Sequence, residues 1–343
     1  MKERSNTADL MKGVAVLLMI QVHILELFAD NSISNSSFGK ILMFLGGPPV
    51  APVFALILGY YIAASNKTTL QLIVRAMKVL GLGLLLNISL NLNLMISVNK
   101  GLYTIDLLPY ILGVDILPFA GISIFIIAIL KSILEKNIIL PLALIIFVSF
   151  LGHYLLNFTP ERAVFKYITS VFYGSCWWSY FPLFPWLAYP LAGFTFYRIK
   201  QKSDIPVSGR KELKVSIIVL LAAILAFTLR SAVRISYHLD QYYHHGILFF
   251  LWVIIFLSIY GLAVSEFAAR SSDKILFKYV KWLGKNVTVI YITQWIITGN
   301  TATEIYKTVT SPSQLVFWYL GILISSSLLT YLFLKLRIKS KAS

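Results

Sequence analysis

The chain has 343 residues, 58% of them hydrophobic and 13% charged, with a formal net charge of +16. Its mean hydropathy is +0.79. A soluble domain averages about 45–50% apolar residues. The excess here comes in blocks of about 20 residues, the length that a bilayer demands. The reading is an all-α polytopic membrane protein, a single integral membrane domain over residues 1–343 with about ten transmembrane helices. The period-two alternation of a membrane barrel is missing. The one cysteine, Cys176, excludes an intrachain disulfide and a cysteine-based metal site.

The first apolar segment, residues 8–30, organises the rest. Its start is basic like a signal-peptide n-region. The segment that follows is long, carries His23 and Glu26, and has no small-residue cleavage site, so it is read as a retained helix. On a helix turning about 100° per residue, Lys12, Met19, His23, Glu26 and Asp30 share one stripe. His23 then lies about 16 Å deeper than Lys12. Ionisable groups at that depth are costly and face a cavity or a functional site, or else form a polar seam between helices.

In chain order the membrane segments are expected at 10–28, 49–64, 72–95, 116–134, 138–156, 181–197, 215–235, 247–267, 282–298 and 315–336. The second follows Gly46-Gly-Pro-Pro, which predicts a broken or re-entrant entry. Residues 102–114 read as interfacial. Pro52…Gly59-Tyr-Tyr and Pro190…Gly193-Phe-Thr-Phe-Tyr hint at related hairpins in the two halves.

Lysine and arginine set the orientation. With the N- and C-termini cytoplasmic, 23 of the 30 fall on the inner side and 7 on the outer, while the acidic residues split evenly. Topology thus accounts for the basic charge, and nucleic-acid binding is excluded as its cause. All five histidines fall at mid-depth or outer positions, where proton transfer is the side chain's natural use. His244 and His245, beside Asp240, Tyr242 and Tyr243, are either an acceptor-binding loop or part of an aromatic interfacial belt. Arg230 and Arg234, one turn apart, clamp an anionic group or anchor the belt. Arg75 and Lys78 either snorkel to the inner surface or, with Lys12 and Arg198, hold the phosphates of a nucleotide-like donor. The basic stretch opened by Arg198, RIKQKSDIPVSGRKELK, has the same two readings.

Walker A, dinucleotide and nucleophile-elbow motifs are absent. Only His23 and Glu26 have metal-ligand spacing, and no metal is expected. The pattern D-L-x-K-G-x-A-x-x-x-M-x-x-x-H from Asp9 to His23 resembles the start of transmembrane acyltransferases. PVFALILGYYIAAS, YFPLFPWLAYPLAGFTFYR and LGKNVTVIYITQWI are similar to segments of the heparan-α-glucosaminide N-acetyltransferase catalytic-domain group. Acyltransferase family three is a more distant relative. It pairs a first-helix arginine with a histidine eleven residues on, where this chain has Lys12 and His23; lysine cannot make the bidentate contact.

The resemblance implies that acetyl-CoA, or another acyl-CoA, donates from the cytoplasm to an extracytoplasmic glycan or small-molecule acceptor. Hydropathy alone gives the expected location, the cell (cytoplasmic) membrane. His23 is then general base or acyl carrier, with Glu26 or Asp30 orienting it. Trp186, Gln294 and Trp295 line the path. The expected partners are the lipid bilayer and the acceptor, with a homo-oligomer left open. Two other readings stand beside this one: a secondary transporter with a protonatable first-helix site, and a non-catalytic partner in an envelope-assembly complex.

Overall fold

A computed structural model describes residues 5–158, 160–174, 176–202, 211–270 and 274–342. The described residues are helical, with no strand among them; a single parallel bridge joins Ala29 and Val309. The helices are α1 (Asn6–Phe28), α2 (Asn31–Asn35), α3 (Ser37–Gly46), α4 (Ala51–Ala63), α5 (Thr69–Leu90) and α6 (Leu92–Asn99). There follow α7 (Leu108–Leu112), α8 (Ile116–Lys136), α9 (Ile139–Leu155), α10 (Ala163–Phe172), α11 (Leu183–Trp186) and α12 (Ala188–Lys202). The last are α13 (Lys211–Tyr237), α14 (Leu239–Tyr243), α15 (Ile247–Arg270), α16 (Ile275–Lys285), α17 (Val287–Ile305) and α18 (Pro312–Ala342).

Seven helical stretches among the described residues are long and apolar enough to cross a membrane. They are Asn6–Phe28, Ser37–Ala63, Thr69–Leu90, Ile116–Lys136, Val215–Tyr237, Ile247–Ala268 and Pro312–Arg337. The other three expected segments fall on α9, which has 17 residues, on the pair α11–α12, and on α16–α17, interrupted at Asn286. The expected break after Gly46 is present: α3 ends there and α4 begins at Ala51. The interfacial stretch holds only the one-turn α7. Large apolar side chains stand exposed on the outer faces, Phe227 at 91% and Leu248 at 81%. Hydrocarbon, rather than water, accommodates such a surface.

The chain divides into two compact units. The first comprises residues 1–50, 86–111 and 260–343. It is built around α1, which packs on α3, α16, α17 and α18. Ser5 caps α1 by accepting a hydrogen bond from the Ala8 amide, and Asp9 sits in the first turn, where the helix dipole favours an anion. Met19, Ile20, Ile24, Leu25 and Phe28 are fully buried. A side chain at Gly13 would overlap the Val280 carbonyl, and one at Gly284 the Asp9 carbonyl, so α1 and α16 cross backbone to backbone. Such approaches hold helices together where hydrophobic contact alone gains nothing over lipid.

The second unit comprises residues 51–85 and 112–259. Its centre is α12 against α4, with α9 and α8 beside them. The two segments with similar patterns meet here: a Cβ at Gly59 would overlap the Pro190 carbonyl and one at Gly193 the Leu56 carbonyl. At the end of α8, Lys131 donates to the Ser65 carbonyl after α4 at 2.8 Å, and Arg198 donates to the Glu135 carbonyl. Cations placed so satisfy carbonyls that a helix end leaves open.

Candidate active site

In the first unit, α1 presents His23 to α17. His23 Nδ1 lies 3.2 Å from Gln294 Oε1. Gln294 is fully buried and its Nε2 donates to the Tyr291 carbonyl at 3.3 Å. That second bond fixes which way the amide points, so Oε1 faces the ring. A carbonyl oxygen only accepts, so His23 carries its proton on Nδ1 and presents Nε2 as an acceptor. The indole of Trp295 lies against the same ring, with centroids 4.0 Å apart and planes inclined by 30°. A fixed tautomer that leaves one ring nitrogen as acceptor is what a general base requires.

Lys12 and Asp9 form an ion pair at 2.8 Å on the same helix, both buried. The polar stripe ends sooner than its spacing predicts. Helix α1 stops at Phe28 and Ala29 is extended, so Asp30 leaves the stripe. Asp30 is instead the N-cap of α2, accepting from the Ile33 amide and from Ser32 Oγ. These bonds, the Ile33 one foremost, hold its carboxyl below the usual carboxylate range. The expected role of Asp30 in orienting the imidazole is therefore corrected, and the partner found at Nδ1 is the Gln294 amide. Glu26 remains on the His23 face of α1, half-buried.

One neighbour was not anticipated. The loop after α17 lies along the end of α1: Lys307 N donates to the Leu27 carbonyl and Val309 N to the Phe28 carbonyl, while Asp30 N donates to the Val309 carbonyl, each at 2.9 Å. Lys307 adopts a left-handed backbone conformation, φ 59°. Partial burial lowers its pKa, and the charges of Glu26 and Asp30 raise it. Beside this loop is a cleft of about 470 Å³, lined among others by Thr308, Gln314, Phe317 and Trp318. Sequence offered no signal for it beyond the aromatic pair.

The second unit gathers Trp186, His244 and His245. Trp186 is fully buried and donates from Nε1 to the Tyr243 carbonyl at 2.8 Å. His245 Nδ1 donates to the Tyr242 carbonyl at 2.8 Å, and Tyr189 Oη donates to its Nε2 at 3.0 Å. Burial lowers the His245 pKa to about 4, so this ring is neutral and both its nitrogens are engaged. His244 Nδ1 faces the Asp240 carbonyl at 3.1 Å and its carboxylate at 3.5 Å; burial lowers its pKa against the pull of Asp240. Arg230 and Arg234 are exposed on α13. Of the expected donor-binding cations in this unit, Arg75 is half-buried, Lys78 is exposed and Arg198 caps α8. Residues 203–210 of the basic stretch after Arg198 lie outside the described residues. Among the described residues no group of three His, Cys, Asp or Glu side chains gathers to hold a metal ion.

The family model described as "Heparan-alpha-glucosaminide N-acetyltransferase, catalytic" matches residues 4–225. The chain belongs to this family. No curated protein and no solved structure matches it. The match contains His23, Lys12 and Trp186 but stops before His244, Gln294 and Trp295. Membership in this N-acetyltransferase catalytic family makes the chain a membrane acetyltransferase by class. The hydrogen bond of His23 thus ties the family region to a helix beyond it.

Proposed function

We propose that the chain transfers an acetyl group from cytoplasmic acetyl-CoA to an extracytoplasmic acceptor, a sugar or glycan, with His23 as general base. The observation that carries this reading is the 3.2 Å contact of His23 Nδ1 with Gln294 Oε1, inside a family whose catalytic domain acetylates amines. Gln294 holds the Nδ1 proton, so His23 Nε2 takes the proton of the acceptor amine or hydroxyl as it attacks the thioester. The same nitrogen returns that proton to the departing thiolate. The lysines and arginines of the inner side, Lys78 and Arg75 among them, attract the phosphates of the donor. Ten crossings, read from the apolar segments, and cytoplasmic termini, read from the lysine and arginine count, suit a donor and an acceptor on opposite faces. The cell membrane is the proposed location.

The test uses sealed proteoliposomes with acetyl-CoA outside and a panel of sugars and amino sugars inside. An acetylated sugar in the lumen, absent with His23→Ala, is the expected outcome. A broken α3–α4 entry and the Asn286 interruption also suit a transporter. Solute uptake that proceeds without acetyl-CoA and yields no acetylated product would replace the present reading with that one.

A further inference from the structure

An indole nitrogen is a donor only and cannot accept. Two other indoles of this chain show how such donors are ordinarily met: Trp186 Nε1 donates to the Tyr243 carbonyl at 2.8 Å and Trp252 Nε1 to Thr228 Oγ1 at 3.0 Å. Trp295 Nε1 is buried with no hydrogen-bond partner among the described residues, as is Trp178 Nε1 in the second unit. What sets Trp295 apart is its neighbour, since its ring centroid is 4.0 Å from that of His23. One helical turn on from Gln294, the fully buried Thr298 likewise has its Oγ1 without a partner among the described residues. Two successive turns of α17, one of them against His23, therefore bury two polar atoms that no described protein group meets. A native fold tolerates a buried donor without an acceptor only for a reason. Beside a general base, that reason is an acceptor atom that arrives with the substrate.

We propose that Trp295 is a catalytic residue whose Nε1–H donates a hydrogen bond to the thioester carbonyl oxygen as negative charge develops on it, with Thr298 next to it on the same helix as a second polar contact. The inference rests on the acetyltransferase reading of His23. The step balances. The acceptor nitrogen or oxygen bonds to the carbonyl carbon, its proton passes to His23 Nε2, and the carbonyl π electrons become the oxyanion held by Trp295. Collapse re-forms the carbonyl, breaks the carbon–sulfur bond and expels the thiolate, which takes the proton from His23. A donor pre-aimed in a water-poor site pays no reorganisation when the charge appears. The indole that carries this donor lies against the imidazole, with ring centroids 4.0 Å apart.

The test compares wild type, His23→Ala, Trp295→Phe and a Trp295 replaced by 3-benzothienylalanine, in which sulfur takes the place of N–H and the bicyclic shape is kept. Each full-length protein, in nanodiscs, is assayed for acetyl-CoA binding by calorimetry and for thiol release with water as acceptor. The expected result is binding within threefold of wild type for both Trp295 replacements and thiol release lowered by about 10²-fold, with an unchanged pH profile because His23 is intact. Release by the benzothienyl protein within tenfold of wild type overturns the proposal, since shape alone then suffices. If wild type is active, His23→Ala inactive and the benzothienyl protein active, the role of Trp295 alone falls. If wild type neither binds acetyl-CoA nor releases thiol, the acetyltransferase reading falls and takes this role with it.

Discussion

His23 and Gln294 stand 271 positions apart in the chain, yet their side chains meet at 3.2 Å. The contact joins the first helix to α17 and decides which imidazole nitrogen is basic. The amide does for this ring what a carboxylate does in a hydrolase triad, but it adds no charge to a site in the membrane.

Replacing Gln294 by Leu removes the acceptor for the Nδ1 proton and lets the ring change tautomer. Thiol release from acetyl-CoA should fall by at least about tenfold. Gln294→Glu keeps an oxygen at that place and should retain more activity than Gln294→Leu. Single-turnover release assays on the two variants check the order.

The contact also marks where reading the sequence stops. The polar stripe of α1, the break after Gly46 and most long helices were legible, because hydropathy and helical period are local properties. The capture of Asp30 by α2 was not, since the helical spacing continues past the point where α1 ends. The segment expected at 282–298 merges the end of α16 with α17, because the break at Asn286 occurs within an apolar run. Gln294 and Trp186 stand in segments that resemble the family's. Their partners, His23 and Tyr243, are set by tertiary packing, which no local pattern encodes. Nothing local marks Lys307, yet its loop covers the end of α1.

The crossing of α4 and α12 supplies a stability prediction. Gly193→Val would drive a side chain into the Leu56 carbonyl, and the backbones must separate. The cost should be about 1–3 kcal/mol, read as a lower unfolding midpoint in detergent. Gly81→Ala is the control: a Cβ there meets nothing within 4 Å, so the midpoint should hold or rise.

Acid should loosen the second unit through His245. Its folded pKa is lowered from 6.5 to about 4 by burial, so below pH 6.5 the unfolded chain binds a proton that the folded chain refuses. The stability contributed by the neutral ring is complete above about pH 6.5 and is lost as pH falls to about 4. His245→Gln should be less stable at neutral pH, through its lost ring contacts, and should show a shallower loss across that window. Thermal midpoints at a series of pH values between 7 and 4 decide it.

At Lys307 the left-handed backbone and the charge pull in different directions. Lys307→Gly relieves a conformation that costs a side-chain-bearing residue about 1–2 kcal/mol, but it removes the cation facing Glu26 and Asp30. Lys307→Glu keeps the strain and adds a third negative charge. The glycine variant should stay near wild type in midpoint, and the glutamate variant should fall clearly below it. Hydrogen exchange at the Val309 amide should rise in the glutamate variant alone.

The most direct test of the account is thiol release from acetyl-CoA by wild type and His23→Ala, measured side by side on folded protein in nanodiscs. The account predicts that both bind acetyl-CoA and that only wild type releases thiol. A His23→Ala protein that binds and turns over at the wild-type rate would contradict it, because the base would then lie elsewhere.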